Sequence, residues 1–324
     1  MHPYLFEVPT AGEPFRVPAY GMMLLLAFVL AFFLLNHRAR LIGVSAERLI
    51  PIFGAAAVGG LVGARVLYLI AVEPAKVLEN PLSLLSCGTG GFAIYGGLIG
   101  GTLAVVGVIR YQALPMWKML DILAPAVILG MGIGRMGCFF AGCCHGAVLA
   151  HPTTSVLVAP GFLHGTIWAT GSFPFFATEF VDPASVCRHE LLGLALYPTQ
   201  LLDMGGLLTL VLLTQVLWSF RRFDGQIAAV AFAVQAVLRI VIESFRADQR
   251  GYALSWSVEH VPSWLPPGLL QAGGALPKVG APMVVGLTTS QGIGLGIIVV
   301  AIVILVVRRN AGVAPEVALE EDRG

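Results

Sequence analysis

Three arginines, Arg65, Arg135 and Arg239, stand inside long apolar runs of this chain. An arginine at bilayer depth costs roughly 2.5–3.5 kcal/mol on insertion scales, so it marks a function or a buried partner. Its planar fork of donors matches phosphate oxygens, and the abundant anion of a membrane is a lipid phosphate. Arg239, Glu243 and Arg246 repeat at i, i+4, i+7 and are expected on one helix face. That spacing fits an ion pair that merely lets Arg239 exist in the membrane, or part of an anion site. Arg65 and Arg135 at matching depth favour the site.

The cysteines form a second group. Cys87, Cys138, Cys143, Cys144 and Cys187 all fall at or beyond the outer end of an apolar run, where disulfides can persist. Five is odd, so at least one is unpaired or paired between molecules. In GRMGCFFAGCCHG, residues Cys138, Cys143, Cys144 and His145 admit three readings: disulfide or structural thiols, a soft-metal site, or a nucleophile. The spacing matches no common zinc pattern. The structural reading is the expectation, with neither metal nor cofactor assigned.

Elements of membrane length must carry these residues. The chain is 57% hydrophobic and 11% charged, with mean hydropathy +0.86, and a soluble domain carries about twice that charge. Apolar stretches at 18–36, 49–71, 91–110, 119–142, 197–218, 225–246 and 291–307 predict an all-α polytopic membrane protein with about seven spans. Arg38, Arg40, Arg48, Arg110, Lys118, Arg221, Arg222, Arg308 and Arg309 mark one face as cytoplasmic. Arg16, Lys76, Arg188, Arg250 and Lys278 are spread over longer loops opposite, with Arg246 at the boundary. The N-terminus is therefore expected outside and the C-terminus inside. The first run lacks a basic n-region and is read as a retained helix.

Residues 1–310 are expected to form the membrane domain. Its outer-face insertions are 145–196, a small cap without helical periodicity, and 247–290, where Trp256 and Trp264 would suit the headgroup belt. Residues 311–324 are expected to be a cytoplasmic disordered tail. The clusters Gly54–Gly63 and Gly96–Gly101 read first as close helix packing. Rise per residue places Arg135 about 24 Å along its span, Arg65 about as far along its own, and Arg239 with Glu243 about 20–27 Å along theirs. Tyr20, Tyr95, Gln200 and Asp203 begin other spans at the same level. Independent helices thus put their polar groups in one layer below the outer surface.

Several ordered segments resemble the prolipoprotein diacylglyceryl transferase family: PAYGMML (18–24), VGARVLYL (62–69), YGGLIGG (95–101), GIGRMGCFFAGCCHG (132–146), YPTQLLD (197–203) and LRIVIESFR (238–246). The resemblance covers about residues 15–310. It implies a multi-pass enzyme of the bacterial inner membrane that moves diacylglyceryl from phosphatidylglycerol to the lipobox cysteine of a preprolipoprotein, releasing glycerol 1-phosphate. Arg135 would then bind the headgroup, Arg239 would assist the leaving phosphate, and Glu243 would hold Arg239. Tyr20 and Gln200 would line the site, with Arg65, Gly96, Gly97 and Arg246 contributing to substrate binding. Two departures stand out. Tyr95 replaces the histidine of the family's HGGLIG segment. Cys138, Ala141 and Cys143 replace the asparagines and glutamate of GRxGNFxNGExxG. The thiol's proton is expected to go to His145 or Tyr95. The expected partners are phosphatidylglycerol, the lipobox segment and membrane lipid, with no nucleic acid and a monomeric chain. The alternative is a divergent member that binds lipid or metal, or handles thiols, without transferring lipid.

Overall fold

Long apolar runs cannot hide inside one soluble core of this size, and in the computed structural model they become helices. The structure describes residues 4–8, 15–72, 74, 91, 93–148, 167–169, 176–180, 185–187, 192–246, 252–258 and 283–310. Within these lie α1 (Ala19–Arg40), α2 (Ala46–Val72), α3 (Ile94–Tyr111), α4 (Met116–Ala141), α5 (Thr199–Trp218), α6 (Gln226–Glu243) and α7 (Thr289–Asn310). Six are long and apolar enough to cross a membrane, and α3 is a shorter apolar helix. The all-α polytopic class is therefore observed. Three two-stranded antiparallel pairs accompany it: β1 (Tyr4–Val8) with β2 (Phe15–Pro18), β3 (Ile167–Ala169) with β4 (Phe176–Thr178), and β5 (Tyr252–Val258) with β6 (Met283–Thr288). Cys87, Lys76, Arg188, Arg250, Trp264, Lys278 and the tail 311–324 lie outside the described residues.

Local chemistry explains where helix ends depart from the expected spans. α7 starts at Thr289 rather than 291, because Thr288 and Gln291 form a reciprocal capping box. The Gln291 amide donates to Thr288 Oγ1 at 3.2 Å, and the Thr288 amide to Gln291 Oε1 at 3.0 Å. α1 continues to Arg40, where His37, Arg38 and Arg40 occupy the last turn, a favourable place for cations. α3 begins three residues late because the preceding backbone is tied to α2. The Ala93 amide donates to Ala64 O at 3.0 Å, and Arg65 Nη1 donates to Gly91 O at 3.4 Å. α6 stops at Glu243, not 246. Phe245 and Arg246 close tight turns onto Ile242 and Glu243, and Phe245 O then accepts the Ala147 amide at 2.9 Å. Arg246 thus sits beyond the helix rather than on its regular face.

The chain divides into two compact units, Met1–Ala31 with Ala124–Gly324, and Phe32–Leu123. In the second, α2 and α3 meet along a glycine seam. A methyl on Gly63 would land on Gly96 O, and one on Gly96 would land on Gly63 O. A methyl on Gly100 would meet Gly59 O and lie 2.8 Å from Gly63 Cα. Bare backbones at small-residue positions pack where side chains could not fit. Gly63→Ala and Gly96→Ala should each lose about 1–3 kcal/mol through overpacking. Gly54→Ala, which meets nothing within 4 Å, should leave stability in detergent unchanged. Equal thermal stability of all three variants would refute the seam.

In the first unit α4 is the hub. Gly132 lies against Leu207 and Leu208 of α5, and Gly137 against Tyr20 and Met23 of α1. Gly206 of α5 faces Leu238 of α6, and Gly294 of α7 faces Ile240. Ala19, Phe139 and Phe140 share one buried cluster with Phe180, Cys187 and Leu196. The described part of the 145–196 insertion is therefore rooted in the same apolar core as α1 and α4.

Candidate functional site

The end of α4 turns sharply because Gly142 adopts φ +79° and Cys144 φ +61°. A methyl on Gly142 would strike Ser185 Oγ, so glycine is required there twice over. Cys144 has no such exemption; left-handed backbone costs a non-glycine residue about 1–2 kcal/mol. Strain of this kind persists where surrounding contacts fix it. Here α5 supplies them: Gln200 Nε2 donates to Cys143 O and Thr199 Oγ1 to Cys144 O, both at 2.9 Å.

The segment after the turn is laced between the ends of α5 and α6. Gly146 bridges Arg246 antiparallel, and the Tyr197 amide donates to Ala147 O at 2.9 Å. Tyr197 and Phe245 rings lie 5.4 Å apart across it. A methyl on Gly146 would run into Tyr197 and come within 3.0 Å of Phe245 O. This lacing holds His145, Gln200 and Arg246 in fixed positions. All three are buried.

Charges converge there. Arg135 Nε lies 2.7 Å from Asp203 Oδ2, joining α4 to α5, with side chains 17% and 4% exposed. Arg239 Nη2 lies 2.6 Å from Glu243 Oε2, and Arg246 Nε 3.8 Å from the same oxygen. Arg135 and Arg246 also act on one another electrostatically. These five side chains hold three guanidiniums and two carboxylates, so the set carries one excess positive charge. Buried ions of this kind cost several kcal/mol each unless paired. Gln200 is 1% exposed, and its Oε1 has no hydrogen-bond partner among the described atoms; a buried acceptor left so costs about 1–3 kcal/mol.

The thiols adjoin the charges. The sulfurs of Cys138, Cys143 and Cys144 lie within 4.8 Å of one another, and neither these residues nor Cys187 form a disulfide. Of the readings disulfide, structural thiols, metal site and nucleophile, the disulfide is not formed by these four in this structure. Hydrogen bonds from Cys138 and Cys143 hold the Cys144 thiol well below its ordinary range against the opposing effect of burial, with help from Arg246 and Arg135. Cys143, its proton engaged by Cys138 and Cys144, is pushed up. Tyr20 is 44% exposed and feels the charge of Arg135 and of the three thiols.

Of the expected site residues, Arg135, Arg239, Glu243, Arg246, His145, Gln200 and Tyr20 belong to this unit. Arg65, Tyr95, Gly96 and Gly97 belong to the other. There Arg65, 6% exposed, bonds Gly91 O and holds its guanidinium 6.0 Å from the Tyr68 ring centre. Tyr95 is 40% exposed in the first turn of α3. Gly96 and Gly97 lie on the seam with α2, which accounts for them by packing. Asp203, expected only as one member of the polar layer, is the direct partner of Arg135. A carboxylate one turn into an apolar helix was the available signal. Thr199, as a brace of the cysteine turn, carried none.

Comparison with known proteins adds an independent line. A family model described as prolipoprotein diacylglyceryl transferase matches residues 4–307. A phosphatidylglycerol–prolipoprotein diacylglyceryl transferase of Clostridium tetani is 28% identical over 253 residues, 78% of this chain and 88% of that protein. One of Staphylococcus aureus (strain MSSA476) is 32% identical over 199 residues, 59% of this chain and 71% of its own length. One of Rhodopirellula baltica is 30% identical over 185 residues, 53% of this chain and 38% of the relative.

Proposed function

The chain belongs to the prolipoprotein diacylglyceryl transferase family, and we propose that it moves the diacylglyceryl group of phosphatidylglycerol onto the lipobox cysteine of a preprolipoprotein. The observation that carries the site assignment is the convergence of Arg135, Arg239 and Arg246 with Asp203 and Glu243, which brings three guanidinium forks suited to phosphate oxygens into one place. The acceptor thiol loses its proton, its sulfur attacks the glyceryl carbon bearing the phosphate ester, and that carbon–oxygen bond breaks. A thioether forms, and the bonding pair leaves with glycerol 1-phosphate. Charge on the leaving phosphate rises from one towards two, so a cation that meets it late lowers the barrier more than one that only binds substrate.

Arg135, fixed by Asp203, binds the headgroup phosphate. Arg239, oriented by Glu243, meets the departing phosphate, and Arg246 adds charge from beyond the helix end. Gln200 offers its buried Oε1 to a headgroup hydroxyl, and Tyr20 lines the lipid side. The protein is a multi-span membrane protein; its place is the bacterial inner membrane, with the N-terminus outside and the reaction in the outer leaflet. The basic last turns of α1, α3 and α7 support that orientation. Headgroup selection tests the site. Phosphatidylglycerol should protect the protein from photo-crosslinking by a phosphatidylglycerol analogue, whereas phosphatidylethanolamine, whose ammonium group would be brought against the three guanidiniums, should protect poorly. Equal protection by both lipids would remove the charge-matching argument.

His145 takes the thiol's proton. It is 6% exposed, and its Nδ1 lies 3.2 Å from Gly146 O. A proton on Nδ1 donates to that carbonyl and leaves Nε2 as the basic atom. Only the neutral ring can accept a proton, so the wild-type rate should fall on the acid side of the pH–rate profile. His145→Gln should lose that limb of the pH–rate profile, while Tyr95→Phe keeps it. Retention of rate and profile by both variants would mean that the thiol ionises unaided.

A further inference from the structure

Cys138, Cys143 and Cys144 have no task in the reaction above, because the acceptor brings its own thiol. Their arrangement is nevertheless specific. Cys138, in the last turn of α4, is buried at 8% exposure. The left-handed turn at Gly142 and Cys144 folds two adjacent cysteines back, so that all three sulfurs lie within 4.8 Å of one another. The turn is braced from α5 by Thr199 and Gln200, which makes it a rigid support of the kind a coordination site needs. Where the family's signature carries asparagine and glutamate, this chain presents two of the three sulfurs.

We propose that Cys138, Cys143 and Cys144 form a binding site for a soft, thiophilic metal ion, monovalent copper, held by three thiolates. The donor set decides the ion. Thiolates select copper(I), zinc and iron–sulfur clusters over harder cations. Structural zinc is closed by four protein ligands, whereas this group contains three sulfurs and, among the described residues, no imidazole or carboxylate atom. A closed-shell monovalent ion accepts three sulfur ligands without a fourth. Binding displaces three thiol protons and needs no oxidant. The inference rests on the thiol geometry and stands apart from the transfer reaction.

The full-length chain, purified in detergent and reduced under anaerobic conditions, would be titrated with copper(I) in competition with bicinchoninate. One equivalent should be withdrawn from the chelator, and X-ray absorption should show a sulfur-only shell of three ligands. In the same sample, copper(I) should shield Cys138, Cys143 and Cys144 from alkylation by iodoacetamide, mapped by mass spectrometry. Cys143→Ser, which removes a partly exposed ligand, should weaken binding by at least about tenfold, since even supporting groups around a metal are worth that much. Failure of the wild-type protein to compete for copper(I) would overturn the proposal. So would uptake without shielding of these three thiols, or a four-ligand zinc site held in preference to copper. The shielding measurement uses only wild-type protein and so does not depend on any variant folding.

Discussion

Arg239→Ala should reduce diacylglyceryl transfer by at least about 100-fold per folded protein, and the protein should still fold because Arg246, 3.8 Å from Glu243 Oε2, continues to offset that buried carboxylate. Removing one donor that stabilises developing negative charge typically costs about 2.7–4 kcal/mol of barrier, or roughly 10²–10³ in kcat. The loss should fall on kcat more than on KM, because the charge that Arg239 meets grows only as the phosphate departs. Arg239→Lys should recover little. Lysine restores the charge but not the planar fork, and it cannot contact both Glu243 and a phosphate oxygen in one fixed geometry. The 2.6 Å pair with Glu243 predicts that Glu243→Gln keeps substrate affinity but lowers kcat, as the guanidinium loses its orientation. Near-normal turnover of both Arg239 variants would reduce this residue to a structural charge.

The second large effect concerns Arg135 and Asp203. Asp203→Ala leaves a buried guanidinium without the carboxylate 2.7 Å away, and breaking a buried pair from one side costs about 3–5 kcal/mol. Little folded protein should be recovered. Adding Arg135→Met to that variant removes the stranded charge and should restore folding, because an apolar pair of similar volume often replaces a buried ion pair at no cost in stability. The restored protein should still fail to transfer lipid, since the headgroup has lost its ligand. Recovery of both folding and transfer in the double variant would show that the pair is structural only. Thermal stability in detergent separates the two outcomes from activity.

These residues differ in how visible they are in the linear chain. Arg135, Arg239 and Glu243 stand out because charge inside an apolar run is expensive, and helical rise alone puts them at one depth. The pairing of Arg135 with Asp203 is not local. It depends on α4 meeting α5 at Gly132, Leu207 and Leu208, a contact that no spacing rule within one helix contains. Arg246 looked like a continuation of the α6 face at i+7. The backbone leaves the helix at Glu243 to pair with Gly146 and Ala147, so the same residue approaches Glu243 from a turn. The capping box at Thr288 and Gln291 is present in the residue types, whereas the apolar run by itself starts at 291. Gly96 and Gly97, expected both to pack closely and to contribute to substrate binding, lie on the seam with Gly60 and Gly63, which explains their packing; a substrate role for them is a separate proposal.

The most direct test of the account supplies the purified wild-type protein with phosphatidylglycerol labelled in its headgroup and a peptide containing a lipobox cysteine. Labelled glycerol 1-phosphate should appear in step with a diacylglyceryl thioether on the peptide cysteine, one for one, and neither should form when that cysteine is serine. Folded wild-type protein that binds phosphatidylglycerol yet yields neither product would contradict it.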